Sequence, residues 1–156
     1  MDVTLVNPFI ESTVNVLKTM AQTEPVPGMA FIKSDARTWG VITGIIGMAG
    51  DSVAGNLVLS FDEPCILSIV SKMLMEEISE LTPDVVDAVG EITNMISGGT
   101  KSALSEKGFK FEMASPIMIT GQNVELNQFA KTPILVIPFQ TPNGKFVVEA
   151  NLAPKK

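Results

Sequence analysis

The chain has 156 residues, 46% of them hydrophobic and 18% charged, which describes a folded domain with a sizeable core and excludes a disordered tail. Its net charge of −6, with 11 basic residues in no dense cluster, argues against a nucleic-acid partner, because phosphate backbones demand a Lys/Arg surplus. Histidine is absent and cysteine occurs once, so Ser-His-Asp and Cys-His catalysis, imidazole zinc sites and an internal disulfide are excluded too.

Residues Asn7–Ala21, NPFIESTVNVLKTMA, place Ile10, Val14, Leu17 and Ala21 at helical spacing, with Asn7 as cap and Pro8 at the first helical position. Pro25 and Pro27 end that helix. Between Met29 and Phe61, MAFIKS, GVITGIIGMAG and SVAGNLVLSF are β-branched and partly alternating, and they predict three antiparallel strands with a tight AGD turn between the last two. Asp62 caps a following helix, CILSIVSKMLM, in which Cys65 reads as core filler in a reduced, cytoplasmic setting. Thr82, Pro83 and Asp84 open a longer helix that runs to about Gly108. FKFEMA, PIMITG, TPILVIPFQ and KFVVEANL read as further strands, with a hairpin turn at Pro142–Gly144 and a frayed tail over 153–156. No stretch reaches the roughly 18 unbroken apolar residues of a membrane span, and the opening MDVTLVNPFI has no basic leader before an apolar run, so no signal peptide is expected.

This order predicts a single α+β domain over residues 1–156: a mainly antiparallel sheet with long helices packed on it. FIESTVNVL and VGEITNMIS are alike, and each precedes paired strands, so a pseudo-duplicated helix-plus-strands unit is expected.

The long helix carries the chemistry. At ~100° per residue, Val85, Val89, Ile92, Ile96, Gly99 and Ala103 fall on one side, and Asp87, Glu91, Asn94, Gly98 and Lys101 on the other. A solvated helix face would show the same stripe. Asn is a poor mid-helix residue, however, and two glycines cost roughly 1 kcal/mol each relative to Ala. Gly99 on the apolar side leaves room for another element to pack closely, and Gly98 beside the acid and the amide leaves room for another molecule's backbone.

Asp87-x3-Glu91-x2-Asn94, with Pro116 downstream, resembles the signature of the CheC/CheX/FliY family of chemotaxis phosphatases. NPFIESTVNVL, GIIGMAGD and DAVGEITNMISGG extend the likeness from Asn7 to the strand around Val136, closest to the CheX branch. The resemblance implies an enzyme that removes the phosphoryl group from the aspartyl phosphate of a CheY-type receiver domain by inserting this helix at its active site. Glu91 matches the acid that contacts the receiver's lysine, Asn94 the amide that orients the attacking water, and Asp87 a supporting position; Gly98 and Lys101 would border the docked partner. No cofactor is implied on this chain, the Mg²⁺ being the receiver's. The resemblance also implies a homodimer, joined through strand pairing at a sheet edge, where a long apolar strand such as ILVIPF would otherwise be open to uncontrolled association.

Glu11 and Asn15 on the first helix form a second acid–amide pair, as a duplicated unit would supply, but at i, i+4 instead of i, i+3. The extra residue turns the amide away, so a degenerate site and a plain polar helix face both remain open. GIIGMAGD lacks the Lys-Ser/Thr that closes a phosphate-binding loop. The nine methionines read as core, Trp39 as strand-end packing and MEEISE as a solvated turn. The rival to catalysis is a binding module of the same fold that docks a receiver domain or a flagellar switch component without hydrolysis. A small-molecule sensor using the glycine-rich sheet has no motif behind it.

Overall fold

The computed structural model describes residues 3–51, 53–126 and 133–154. Helices α1 (Val3–Ala21), α2 (Glu63–Leu74) and α3 (Pro83–Glu106) accompany strands β1 (Val26–Pro27), β2 (Phe31–Ile32), β3 (Ile42–Gly50), β4 (Val53–Phe61), β5 (Phe111–Met113), β6 (Ile117–Thr120), β7 (Leu135–Thr141) and β8 (Gly144–Pro154). All strands join one antiparallel sheet in the order β1-β7-β8-β4-β3-β5, with β2 also on β7 and β6 also on β3. The protein is α+β, as expected.

The two hairpins, β3–β4 and β7–β8, meet at the centre through the β4–β8 pairing. Each half's short strands then cross to the other half. β1 and β2, which follow α1, pair with β7, whereas β5 and β6, which follow α3, pair with β3. The halves are thus reciprocally exchanged, which is the form the expected duplication takes.

Strand alternation sorts the side chains. Ile42, Ile46, Leu57, Leu59, Phe61, Phe146, Val148 and Ala150 join a core with Phe9, Leu17, Ile66, Ile69, Val89, Ile92 and Ile96 of the helices. Phe146 stacks on Phe139 with ring centroids 4.8 Å apart. On the opposite face Ile45, Val58, Val136 and Val147 form a smaller core with Ile134, packed by Ile119 and Leu126. Loop 33–41 lies over this second face. Lys33 Nζ bonds both Glu149 carboxylate oxygens at 3.0 Å and also donates to the Arg37 carbonyl, tying the loop to β8.

Local capping follows the sequence. Asp62 accepts from the Cys65 N–H at 2.9 Å and, with its other oxygen, from the Lys145 N–H at 2.9 Å, so one carboxylate caps α2 and anchors the β7–β8 hairpin. Thr82 caps α3. Gly108, at φ +90°, ends α3 in a left-handed turn closed by the Phe109 N–H on the Leu104 carbonyl.

Four expectations need correction. Helix α1 starts at Val3 and carries Pro8 inside it, instead of being capped at Asn7; in this early turn the missing N–H of proline removes only one helical bond. MAFIKS contributes only Phe31–Ile32, which pair with β7 and not with β3. The apolar strand ILVIPF is no sheet edge, because β1 and β2 cover the outer side of β7. Ala153 and Pro154, expected to fray, continue β8 against Ala54 and Val53, while Lys155 and Lys156 lie outside the described residues.

Candidate functional site

Helix α3 lies on the sheet through contacts with β3, β5 and β6, and it packs along α1. Val85, Val89, Ile92 and Ile96 are fully buried. Asp87, Glu91, Asn94, Gly98 and Lys101 are all exposed, so the sequence's polar stripe is a ridge facing solvent. Residues three and four apart on a helix have Cβ atoms about 5–6 Å from each other, which puts the Glu91 carboxylate and the Asn94 amide within one small footprint. A methyl built on Gly98 meets no atom within 4 Å, so the ridge is bare on the turn after Asn94. Lys101 is not a free cation: its Nζ lies 3.6 Å from the Glu112 carboxylate on β5.

Gly99 faces α1. A methyl there would overlap the Ser12 Oγ and sit 3.4 Å from the Ser12 Cβ. The Ser12 hydroxyl donates to the Ile96 carbonyl at 2.8 Å, joining the two helices beside Gly99. The wheel did not reveal Ser12, nor the buried Thr93, Ser97 and Thr100. Thr93 and Thr100 donate to the carbonyls four residues earlier, at 2.7 Å each, and Ser97 donates to the Met113 sulfur at 2.9 Å. Small hydroxyl residues in a helix interior are the signal that was available, since they can be buried with their polar group satisfied along the helix.

Glu11 and Asn15 are exposed on α1 and line a groove of about 310 Å³ between α1 and α3, with Met95 and Gly99 on the opposite wall. They are therefore not on the α3 ridge. Cys65 is buried, and burial pushes its thiol up to about 12, far from nucleophile behaviour at neutral pH. Among the described residues no three His, Cys, Asp or Glu side chains converge as a metal site, and no helix is long and apolar enough to cross a membrane. The arrangement is a solvent-facing helix that presents an acid, an amide and a bare glycine, which suits contact with another macromolecule's surface better than enclosure of a small substrate.

This fold is that of the CheC-like superfamily: a protein of that superfamily from Shewanella sp. PV-4 is 40% identical, with a TM-score of 0.90 and alignment over 98% of this chain and 99% of its own. The family described as chemotaxis phosphatase CheX matches residues 42–140, and the chain belongs to that family. The CheY-P phosphatase CheX of Thermotoga maritima is 27% identical over 140 residues, spanning 87% of this chain and 90% of that protein. A Borrelia burgdorferi structure of a CheX–CheY–BeF3–Mg²⁺ complex is 29% identical, with a TM-score of 0.75 and 97% of both chains covered.

Proposed function

We propose that this protein hydrolyses the aspartyl phosphate of a CheY-type receiver domain, docking the α3 ridge at the receiver's phosphorylation site. The observation that carries the reading is the exposed Asn94 amide, one turn from the exposed Glu91 and beside the bare Gly98, in a chain of a phosphatase family. Docking alone gives no reason for an amide there. The solved CheX–CheY complex supports the choice of partner.

An acyl phosphate is already activated, so the task left to this chain is to place one water in line and exclude others. The water oxygen bonds to phosphorus as the bond from phosphorus to the aspartyl oxygen breaks; the carboxylate leaves as an anion and the water's proton passes to the released phosphate. A carboxamide suits the positioning role because it both accepts from and donates to water and keeps its charge state at any working pH. Glu91 pairs with the receiver's lysine, setting register more than affinity, and Asp87 supports it from one turn earlier. Mg²⁺, held by the receiver, neutralises charge on the phosphoryl oxygens. No covalent intermediate forms on this chain.

Loss of the phosphoryl group from a chemically phosphorylated receiver, followed over time, tests the reading. Asn94→Ala is expected to bind the receiver nearly as the wild type does and to lose most hydrolysis, whereas Glu91→Ala weakens docking as well. Wild-type hydrolysis by Asn94→Ala would remove the water-positioning role, and binding without hydrolysis by the wild type would favour the docking-module rival.

The homodimer is proposed on a separate observation. Val26, Met29, Phe31 and Ile32 are exposed along the β1–β2 edge, 51–89% accessible, and an apolar strand edge is a template for pairing with a second copy. Light scattering at several concentrations reads the mass, and a monomer throughout would remove the dimer while leaving the phosphatase assignment in place.

A further inference from the structure

The groove between α1 and α3 begins where the ridge ends. Met95 follows Asn94 and lines the groove; Gly99 follows Gly98 and lines it too. From Asn94 to Gly99 is about 7.5 Å along a helix rising 1.5 Å per residue, well inside the roughly 28 Å width of the ~800 Å² patch that one partner of a standard-sized interface covers. A macromolecule seated on the ridge therefore overhangs the groove.

The groove has the dimensions and chemistry of a slot for one long side chain. Its space is about 310 Å³ and its walls are mostly apolar, with Val16 and Met20 on α1 facing Met95 on α3. One charged group lines it, the Glu11 carboxylate, with the Asn15 amide one turn along the same helix. Glu11 has no ion-pair partner among the described residues. The same holds for Asp84, Asp87 and Glu91 on α3, while Lys18 of α1 is paired with Glu24 at 3.1 Å and Lys101 of α3 with Glu112. The unpaired charge at Glu11 and along α3 from Asp84 to Glu91 is thus negative, and the exposed Lys107, one turn beyond Ala103, is a cation without an ion-pair partner among the described residues at the far end of α3.

We propose that the groove receives a lysine or arginine side chain from the same receiver domain that docks on α3. Its methylenes lie against Met95, Val16 and Met20, as amphipathic side chains do when they bury the stem and keep the head polar. Its charged head pairs with Glu11 and donates a further hydrogen bond to the Asn15 side-chain amide oxygen. Glu11 and Asn15 then act as a specificity contact for the receiver, away from the phosphoryl group. The inference rests on the receiver-docking reading above.

Steady-state hydrolysis of a phosphoramidate-treated CheY receiver from the same organism separates the two. For Glu11→Lys, KM is expected to rise at least tenfold with kcat within twofold of wild type; for Glu11→Gln, KM rises about threefold, and the difference shrinks as salt is added. Glu76→Lys, which changes the net charge equally but sits on an exposed turn beyond α2, controls for long-range steering and leaves KM within twofold. A KM for Glu11→Lys matching that of Glu76→Lys overturns the slot even where wild-type hydrolysis is intact. Absence of wild-type hydrolysis instead overturns the functional reading; titration of the receiver with BeF3 and Mg²⁺ into wild type and Glu11→Lys then decides the slot by Kd alone, with equal or undetectable binding counting against it.

Discussion

Gly98 and Gly99 are neighbours in one helix, yet alanine at the two positions is expected to act in opposite directions. Glycine within a helix costs roughly 0.5–1 kcal/mol relative to alanine through backbone entropy. At Gly98 nothing opposes that gain, since the new methyl meets no atom within 4 Å. Gly98→Ala should therefore stabilise the fold by about 0.5–1 kcal/mol, raising Tm by ~1–4 °C for a domain of this size. At Gly99 the methyl displaces the Ser12 Oγ, so the 2.8 Å bond to the Ile96 carbonyl is lost and a buried hydroxyl is left unsatisfied. That penalty is about 1–3 kcal/mol against a propensity gain of about 0.5–1 kcal/mol, leaving Gly99→Ala roughly 0–2.5 kcal/mol less stable than wild type. Adding Ser12→Ala removes the obstructing oxygen and leaves only the 3.4 Å contact between β-carbons, so the double variant should recover stability relative to Gly99→Ala alone. Thermal unfolding followed by circular dichroism measures all four corners of this cycle. A Tm for Gly99→Ala raised as far as that of Gly98→Ala would refute the close approach of α1 to α3 at this point.

Two further outcomes follow from buried ionisable groups. Lys33→Met strands the Glu149 carboxylate, whose side chain is 5% exposed, beside an apolar residue; urea unfolding at pH 7 should show a loss of about 3 kcal/mol. Burial already raises the Glu149 carboxyl above its ordinary 4.5, with Lys33 opposing the rise. The stability this group contributes is complete below that ordinary value and is lost as pH climbs through the raised folded one, so the gap between Lys33→Met and wild type should narrow on acidification, and a gap independent of pH would contradict the pairing. Cys65, with its thiol pushed up to about 12, should resist a disulfide reagent in the native protein at pH 8 and react with one equivalent in urea; prompt native reaction would show that the α2 core opens readily.

Much of this protein was legible in its sequence because the signals were local. Asp62 and Thr82 cap the helices they precede, Gly108 ends α3, and the 3.6-residue period of Val85, Val89, Ile92 and Ile96 leaves Glu91, Asn94 and Gly98 exposed on the other side. Each depends on residues within one or two turns, so a single segment carries the information.

What the tertiary structure alone decided involves partners distant along the chain. Hydrophobic alternation marks MAFIKS as strand-like but holds nothing about its neighbour, and Phe31–Ile32 pair with β7, more than a hundred residues away, through the exchange between halves. The same holds for the Lys33–Glu149 pair across the second sheet face and for Ser12, whose hydroxyl reaches a carbonyl 84 residues further on. Whether a polar side chain faces water or a partner depends on which surfaces the fold brings together, and a backbone's own periodicity does not encode that choice.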